Sequence, residues 1–147
     1  MTTEQVVIRR MEARDEKYVI AIDHKIVGEE RASSWQQRVF AYLERYYPPI
    51  SHVAEVGGKV VGFIIGDVRG WEYGMPSGAW IDIMGVDPDY QGQSIGVRLI
   101  EAFVLQAKEQ QIRSVHAWTT EGDDRLQRFL QSAGFTRGKL VEYAREL

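Results

Sequence analysis

The segment from Val86 to Phe103, "VDPDYQGQSIGVRLIEAF", constrains the fold of this chain more than any other stretch. It starts as the end of an apolar strand, turns at a proline, passes through a glycine-bearing loop and continues as a helix. Within the helix, Gly96, Leu99, Phe103 and Ala107 share one face, a pattern typical of a helix packed on a sheet. The segment therefore predicts a strand, a loop and a helix that covers a sheet.

A hairpin precedes this junction in the first half of the chain. The sequence "HVAEVGGKVVGFIIGD" places Gly57–Gly58 between two runs rich in strand-forming residues, and glycine adopts the positive φ angles of a tight turn without strain. Residues 60–65 are apolar on both faces apart from Gly62, which predicts a central strand. The strand Ala79–Val86 follows after a long loop.

The remaining elements complete one domain that spans residues 1–147, without repeats or long linkers. We expect an α+β fold with a mixed, largely antiparallel central sheet and helices on both faces. Asp123 is placed to cap the last helix and Gly134 to end it. The further elements are a strand Val6–Met11, a helix from Asp15, a second helix from Ser33 or Ser34 to Pro48–Pro49, a strand Ser114–Thr120 and a closing strand Lys139–Leu147.

The composition excludes several classes of function. The net charge of −3 argues against non-specific nucleic-acid binding, which depends on neutralising phosphates. The absence of cysteine excludes disulfides and thiolate sites, and His24, His52 and His116 show no metal-ligand spacing. No apolar stretch is long enough to span a bilayer, and the polar start lacks a secretion segment. We therefore expect a cytoplasmic protein without a membrane or nucleic-acid partner.

The loop Gln91–Gly96 has the features of an anion site. It leaves a strand and opens a helix, whose first N–H groups are unpaired and carry partial positive charge. Gly92 and Gly96 allow close approach of a ligand to the backbone. Ser94 stands where a phosphate-binding loop would carry glycine, so we expect it to adopt a negative φ if the loop is to bind a pyrophosphate. The patterns of nucleotide-binding P-loops and Rossmann folds are absent.

Three segments in order resemble the GNAT superfamily of acyl-CoA-dependent N-acetyltransferases. "VDPDYQGQSIG" is similar to the family's strand entry followed by Q/R-x-x-G-x-G/A, through Val86, Pro88, Tyr90, Gln91 and Gly96, with Ser94 replacing the first motif glycine. "VAEVGGKVVGF" resembles the family's second and third strands. "FLQSAGF" resembles the family's F-Y-x-x-x-G-F, except that Leu130 occupies the tyrosine position. The likeness extends over nearly all of the chain.

This resemblance implies a V-shaped gap between the strand that ends at Val86 and the strand that starts at Ser114. Acetyl-CoA would bind there as cosubstrate, and a primary amine, either a small molecule or a protein N-terminus or lysine, would enter from the other side. The pantetheine would pair with the backbone near Met84, Gly85 and Val86. The pyrophosphate would lie on the amides of Gln91, Gly92, Gln93, Ser94, Ile95 and Gly96. Asp123 stands where the family often has an asparagine that touches pantetheine, although capping alone also explains it.

Asp82 is the catalytic candidate because it is the sole ionisable residue in the strand Ala79–Val86. The family often uses a carboxylate on this strand as general base, directly or through water. A solvent-facing residue, or one paired with an arginine, is the structural alternative. Leu130 cannot donate a proton, so the general acid is open. Tyr90 and Tyr143 are conceivable donors, although packing is the preferred explanation for both.

Two functions remain open at this point. The first is an acetyltransferase with Asp82 or a water relay as base. The second is a catalytically weak or inactive module that senses acyl-CoA, which the loss of tyrosine at position 130 favours. The aromatic residues of the second helix and of the loop after the central strand either wall the acceptor site or form core and homodimer contacts. Glu29 and Glu30 would attract a cationic amine or lie in a solvated turn.

Overall fold

The structure, a computed structural model, describes residues 5–28, 50–70 and 74–147. In this part of the chain five strands and three α-helices follow one another. They are β1 (Val6–Arg10), α1 (Glu16–Val27), β2 (His52–Val56), β3 (Lys59–Arg69), β4 (Gly78–Val86), α2 (Ile95–Glu109), β5 (Val115–Ala117) and α3 (Asp124–Ser132). The expected second helix, Glu29, Glu30, Trp71 and Tyr73 lie outside the described residues.

The strands form one mixed sheet in the order β1-β2-β3-β4-β5. The first three pairings are antiparallel, and β4 pairs with β5 in parallel. Gly57 and Gly58 form the turn between β2 and β3 with φ angles of 57° and 78°. Glycine adopts such positive φ angles without steric strain, which explains the glycine pair. The turn confirms the predicted hairpin.

A β-bulge interrupts β4 at Asp82. Ile83 pairs with Ile65 and Ile81 pairs with Gly66, so that Asp82 is the extra residue on its strand. A bulge of this kind bends the strand and increases its twist. It also changes which side chains face each side of the sheet, since Ile81 packs in the core under α2 whereas Ile83 packs towards α1.

Helices cover both faces of the sheet, as predicted. Leu99, Ile100 and Phe103 of α2 are fully buried on one face. Val19 and Ile22 of α1 are buried on the other face, in a separate cluster that includes residues 60, 63 and 65 of β3. Each helix therefore buries the apolar stripe that its periodicity predicted, and β3 is apolar on both faces because both clusters need it.

The closing strand predicted for Lys139–Leu147 is wrong, because this segment forms neither helix nor strand. Its side chains are exposed, with Val141 at 75% and Tyr143 at 93% of full accessibility. Strand propensity alone does not form a strand when no neighbouring strand pairs with it. Strand β5 is also shorter than the predicted Ser114–Thr120.

Gly66 is required by close packing between β3, β4 and α2. A Cβ atom at this position would lie 2.3 Å from the Trp80 carbonyl oxygen and 2.5 Å from Cζ of Phe103. We expect Gly66→Ala to lower the free energy of unfolding by about 1–3 kcal/mol in urea titrations, since backbone and a buried ring must move. Gly122→Ala is the control, because nothing lies within 4 Å of its Cβ position. Equal stability of the two variants would contradict this packing.

Candidate functional site

Strands β4 and β5 separate soon after they meet. Only Ala79, Trp80 and Ile81 of β4 pair with β5, through residues 115–117. The following residues of β4, Ile83 to Val86, pair with β3, and within the described residues they pair with no strand on the side of β5. The predicted splay between these strands is therefore confirmed, and it leaves backbone N–H and C=O groups of β4 facing a gap.

Met84, Gly85 and Val86 lie on the part of β4 that borders this gap, and all three are half-buried. A Cβ atom on Gly85 would lie 2.9 Å from Cδ1 of Ile26 and 3.0 Å from Cε1 of Phe63, so glycine permits α1 to pack closely on β4. This packing holds the strand on one face while its edge stays unpaired. The edge is thus a rigid template for a ligand that pairs with backbone groups.

The turn after β4 is organised by the buried carboxylate of Asp87. Its two oxygens accept hydrogen bonds from the Asp89 amide at 3.0 Å and from Nζ of Lys25 at 3.0 Å. Its own amide donates to the Val61 carbonyl at 2.8 Å. Burial alone would raise the pKa of Asp87, but the Asp89 amide and the Lys25 ammonium outweigh burial and lower the pKa. A charged group therefore links α1, β3 and the start of the loop.

Ser94 adopts a left-handed conformation, with φ 60° and ψ 21°, and the expectation of a negative φ is wrong. Ser94 is the N-cap of α2, but its side chain makes no capping hydrogen bond. Its carbonyl accepts the first helical bond from the Arg98 amide at 3.1 Å. The left-handed region costs a residue with a Cβ atom about 1–2 kcal/mol, which explains why the motif described above places glycine here.

The loop itself is open to solvent. Gln91, Gly92, Gln93 and Ser94 are exposed, and Gly92 has a φ of 83°. The first turn of α2 carries no acidic residue that would repel an anion. Ile95 is 2% exposed, so its side chain belongs to the core and only its backbone faces the loop. The arrangement suits an anion at the start of α2, where N–H groups and the helix dipole act together.

Gly96 faces α3 rather than the sheet alone. A Cβ atom there would lie 3.3 Å from Cζ of Phe129 and 3.8 Å from Cε of Met84. Glycine at this position therefore lets the Phe129 ring pack beside the first turn of α2. The sequence predicted a small residue at position 96 because a ligand approaches there. Packing of Phe129 is a second reason for it.

Asp82 is paired with an arginine, as the structural alternative proposed. Its carboxylate accepts a hydrogen bond from Nη2 of Arg69 at 2.5 Å, and the Asp82 side chain is only 15% exposed. The Arg69 guanidinium lies 5.9 Å from the centroid of the Trp80 ring.

Three aromatic rings cluster at the point where β4 and β5 diverge, and Trp80 among them lies beside Arg69. The His116 and Trp80 rings stack with centroids 4.4 Å apart, and Trp118 lies 5.0 Å from Trp80. Burial lowers the pKa of His116, whose Nε2 lies 2.9 Å from Oγ of Ser114. Neither Arg69 nor Trp118 was a candidate from the sequence. The charged residues at 67, 69 and 82, which interrupt two otherwise apolar strands, were the signal that would have found the ion pair.

Four further candidates from the sequence lie in the described part. Leu130 is buried in the core, so packing determines the residue at this position. Tyr90 packs against the same core, whereas Tyr143 is exposed and does not pack. The Asp123 carboxylate accepts from the Leu126 amide at 3.0 Å, which confirms it as a helix cap.

A sequence model of the acetyltransferase (GNAT) family matches residues 11–135. The chain belongs to this family. The match includes the gap, the loop and α3, and membership of the GNAT family confirms the expected cosubstrate, acetyl-CoA. In the described residues no helix is long and apolar enough to cross a membrane.

Two curated relatives are similar in sequence to this GNAT chain. An uncharacterized N-acetyltransferase of Methanocaldococcus jannaschii is 28% identical over 114 residues, which are 76% of this chain and 50% of the relative. A mycothiol acetyltransferase of Propionibacterium freudenreichii subsp. shermanii is 30% identical over 79 residues, 54% of this chain and 25% of the relative. The chain thus spans half or less of the length of these relatives.

Solved structures share the fold. The aminoglycoside N-acetyltransferase AAC(6')-Iy, crystallised with CoA, has a TM-score of 0.82 at 16% identity, with 99% of this chain and 97% of that chain covered. The Ard1 protein of Thermoplasma volcanium has a TM-score of 0.75 at 27% identity, with 91% and 84% covered. These likenesses confirm the predicted GNAT-like α+β fold with an open sheet.

The left-handed Ser94 predicts a stabilising substitution. Ser94→Gly relieves about 1–2 kcal/mol of strain and loses about 0.5–1 kcal/mol through the freedom of glycine in the unfolded chain. We expect the free energy of unfolding to rise by up to about 1 kcal/mol in urea titrations. Gln93→Gly is the control, because Gln93 is not among the residues with positive φ. It should lose stability, and an equal loss in both variants would contradict the left-handed geometry.

The Asp87 contacts predict a pH-dependent loss of stability. Asp87→Asn removes the buried carboxylate charge that pairs with Lys25. We therefore expect the free energy of unfolding at pH 7 to fall by about 1–3 kcal/mol. Because the pKa of Asp87 is lowered on folding, its contribution is complete above the ordinary aspartate pKa of about 3.9. It is lost as the pH falls through the lowered value.

The difference between the Asp87→Asn variant and the parent should therefore shrink in acid. The control is Asp89→Asn, whose carboxylate is 79% exposed and 3.9 Å from Lys25. A constant difference between pH 7 and pH 3, measured by urea unfolding, would show that the charge of Asp87 is not what stabilises the turn.

Proposed function

We propose that this chain transfers an acetyl group from acetyl-CoA to a primary amine. The observation that carries the proposal is the continuous path from the unpaired edge of β4 into the loop at the start of α2. Ile83 to Val86 present backbone groups to the gap, and the loop Gln91–Gly96, exposed at residues 91–94, follows after one turn. A ligand with an extended amide-bearing arm and a diphosphate matches both features.

Each end of this path recognises a different part of acetyl-CoA in our proposal. The backbone of Met84, Gly85 and Val86 pairs with the pantetheine amides, as an added strand would. The backbone amides from Gln91 to Gly96 bind the pyrophosphate. Asp123 caps α3 and holds the neighbouring helix in place, rather than contacting the ligand directly.

The acceptor amine enters beside the ion pair of Asp82 and Arg69 in our proposal. A primary amine with a lysine-like pKa of about 10.4 is protonated at neutral pH and must lose a proton before it attacks the thioester. Asp82 accepts this proton, directly or through water, since it is the carboxylate at the point where β4 leaves β5. Arg69 holds the Asp82 carboxylate in position through their hydrogen bond.

The CoA thiolate that leaves needs less help from a protein side chain than the amine does. A thiol has a pKa of about 8.5, so its thiolate leaves without full protonation by a general acid. This chemistry is compatible with Leu130, a buried core residue that has no proton to give. Water in the open gap then supplies the proton that completes the thiol of CoA.

No single relative defines the acceptor, so we propose only its chemical class, a primary amine. Solved structures with this fold include aminoglycoside acetyltransferases and an Ard1 protein. Trp118, which is 51% exposed, and the half-buried His116 offer this chain an aromatic surface beside the buried Trp80 ring. We propose that this surface contacts the carbon skeleton of the amine while Asp82 meets its nitrogen.

A sensor of acyl-CoA that does not turn it over is the second candidate. The observation that favours it is Leu130, together with an Asp82 already engaged by Arg69. Both candidates predict CoA binding, so turnover decides between them. Release of the CoA thiol in a panel of small amines and peptides with free N-termini is the required measurement.

Asp82→Asn tests the proposed base in that assay. We expect the affinity for CoA to be unchanged and kcat to fall about 10²–10⁴-fold, the usual contribution of general-base catalysis. Glu109→Gln, the same chemical change at an exposed end of α2, should leave kcat unchanged. An active parent with unchanged turnover in Asp82→Asn would remove Asp82 from the mechanism. A parent that binds CoA but releases no thiol with any amine would establish the sensor instead.

A further inference from the structure

Lys25, in the last turn of α1, reaches the turn that leads from β4 into the loop Gln91–Gly96. Its Nζ lies 3.0 Å from Oδ2 of Asp87 and 3.9 Å from Oδ2 of Asp89. The Lys25 side chain is 49% exposed, whereas the Asp87 side chain is 2% exposed. The contact therefore joins a cation that water can still solvate to a buried carboxylate that depends on its protein partners.

The packing of α1 on β4 holds Lys25 in this place. Ile26, the next residue, lies so close to β4 that a Cβ atom on Gly85 would be 2.9 Å from its Cδ1. Gly85 stands two residues before Asp87, so neighbouring residues of α1 contact the end of β4 and the turn after it. The backbone of Lys25 belongs to a packed helix, and only its side chain has to be ordered to reach Asp87.

Asp87 passes this contact on to the loop through the turn that it organises. Its carboxylate accepts from the Asp89 amide at 3.0 Å, and its carbonyl accepts from the Tyr90 amide at 2.8 Å. Its own amide donates to the Val61 carbonyl of β3 at 2.8 Å. Because Gln91–Gly96 begins directly after Tyr90, this turn fixes the point and the direction from which the loop starts.

The loop of this chain needs such support because of Ser94. The φ of 60° at this residue lies in the left-handed region, which serine does not favour. A strained backbone of this kind persists only when contacts around it hold it in place. The ion pair of Lys25 and Asp87 lies just before the loop and supplies a contact of this type.

We propose that Lys25 is a positioning residue for the diphosphate of CoA, and that it acts through Asp87 rather than by contact with the phosphates. By holding the Asp87 carboxylate, Lys25 keeps the turn in place and directs the amides of Gln91–Gly96 towards the anion. The inference rests on the proposed function, since it concerns the loop that binds acetyl-CoA in that proposal.

The sign of the effect of Asp87→Asn separates positioning from simple attraction of charge. If charge alone mattered, removal of a negative charge near an anion would strengthen binding. If Lys25 acts by positioning, Lys25→Met and Asp87→Asn both weaken binding, since each breaks the same ion pair. We expect each to raise the Kd of CoA about tenfold in isothermal titration calorimetry, as misplaced binding groups do. The double variant should lose no more affinity than Lys25→Met, because the pair is already broken.

Three further variants serve as controls. Lys17→Met removes the same charge from an exposed site of α1 and should leave the Kd of CoA unchanged. Asp89→Asn removes a carboxylate that is 79% exposed and 3.9 Å from Lys25, and it should not weaken binding. Lys25→Arg keeps the cation and should retain most of the affinity. Asp87→Asn leaves no buried charge unpaired, so its sign decides the question even if Lys25→Met does not fold.

The amide signals of the ¹⁵N-labelled protein without ligand test the positioning step by itself. In Lys25→Met the amides of Gln91–Gly96 should shift, whereas those of β1 should not. Pantetheine lacks the diphosphate, so it should bind the parent and Lys25→Met equally well.

Unshifted loop amides, or an unchanged Kd of CoA, in Lys25→Met would overturn the inference and leave the proposed function in place. Unchanged or tighter binding of CoA by Asp87→Asn would also overturn it, because the ion pair would then not be what holds the loop. A parent that binds CoA no more tightly than pantetheine would instead overturn the proposed binding path, and the inference with it.

Discussion

The separation of β4 from β5 after Ile81 is the constraint on which the rest of this structure depends. Three residue pairs hold the strands together, and the bulge at Asp82 coincides with the point where pairing ends. A sheet edge left open inside a domain exposes backbone groups that require partners. In our account acetyl-CoA is that partner, and the ion pair of Asp82 and Arg69 lies at the mouth of the same gap.

The loop after β4 is shaped by contacts that lie behind it. Asp87 fixes the turn through Lys25 of α1 and the Asp89 amide, and the left-handed Ser94 directs the chain into α2. A serine in this conformation is strained, yet the first turn of α2 still begins at Ile95. In our proposal the loop binds the anion through the direction of its backbone, and the residue type at position 94 changes only the stability of the loop.

Much of the fold could be predicted from the sequence because its signals are local. The Gly57–Gly58 turn, the apolar β3 and the stripe on α2 each follow from periodicity or turn chemistry, and all three are present. The loop and the splay followed from the resemblance to a family. The turn, the apolar strand and the helix stripe each depend on residues close together in the chain.

The features that the sequence did not predict depend on distant contacts. An arginine partner for Asp82 was an alternative from the sequence, but its identity, Arg69, was not, because the pair joins two strands across a bulge. The left-handed φ of Ser94 runs against the preference of serine and occurs where the loop enters α2. The segment Lys139–Leu147 has strand propensity, but within the described residues no strand pairs with it.

A titration of the ¹⁵N-labelled protein with CoA, and separately with pantetheine, tests the central claim most directly. Pantetheine lacks the pyrophosphate, so our account predicts that both ligands shift the amide signals of Met84, Gly85 and Val86. Only CoA should shift the amides from Gln91 to Gly96, and it should bind far more tightly. The account would be contradicted if the amide signals of neither region shifted, or if the two ligands bound with equal affinity.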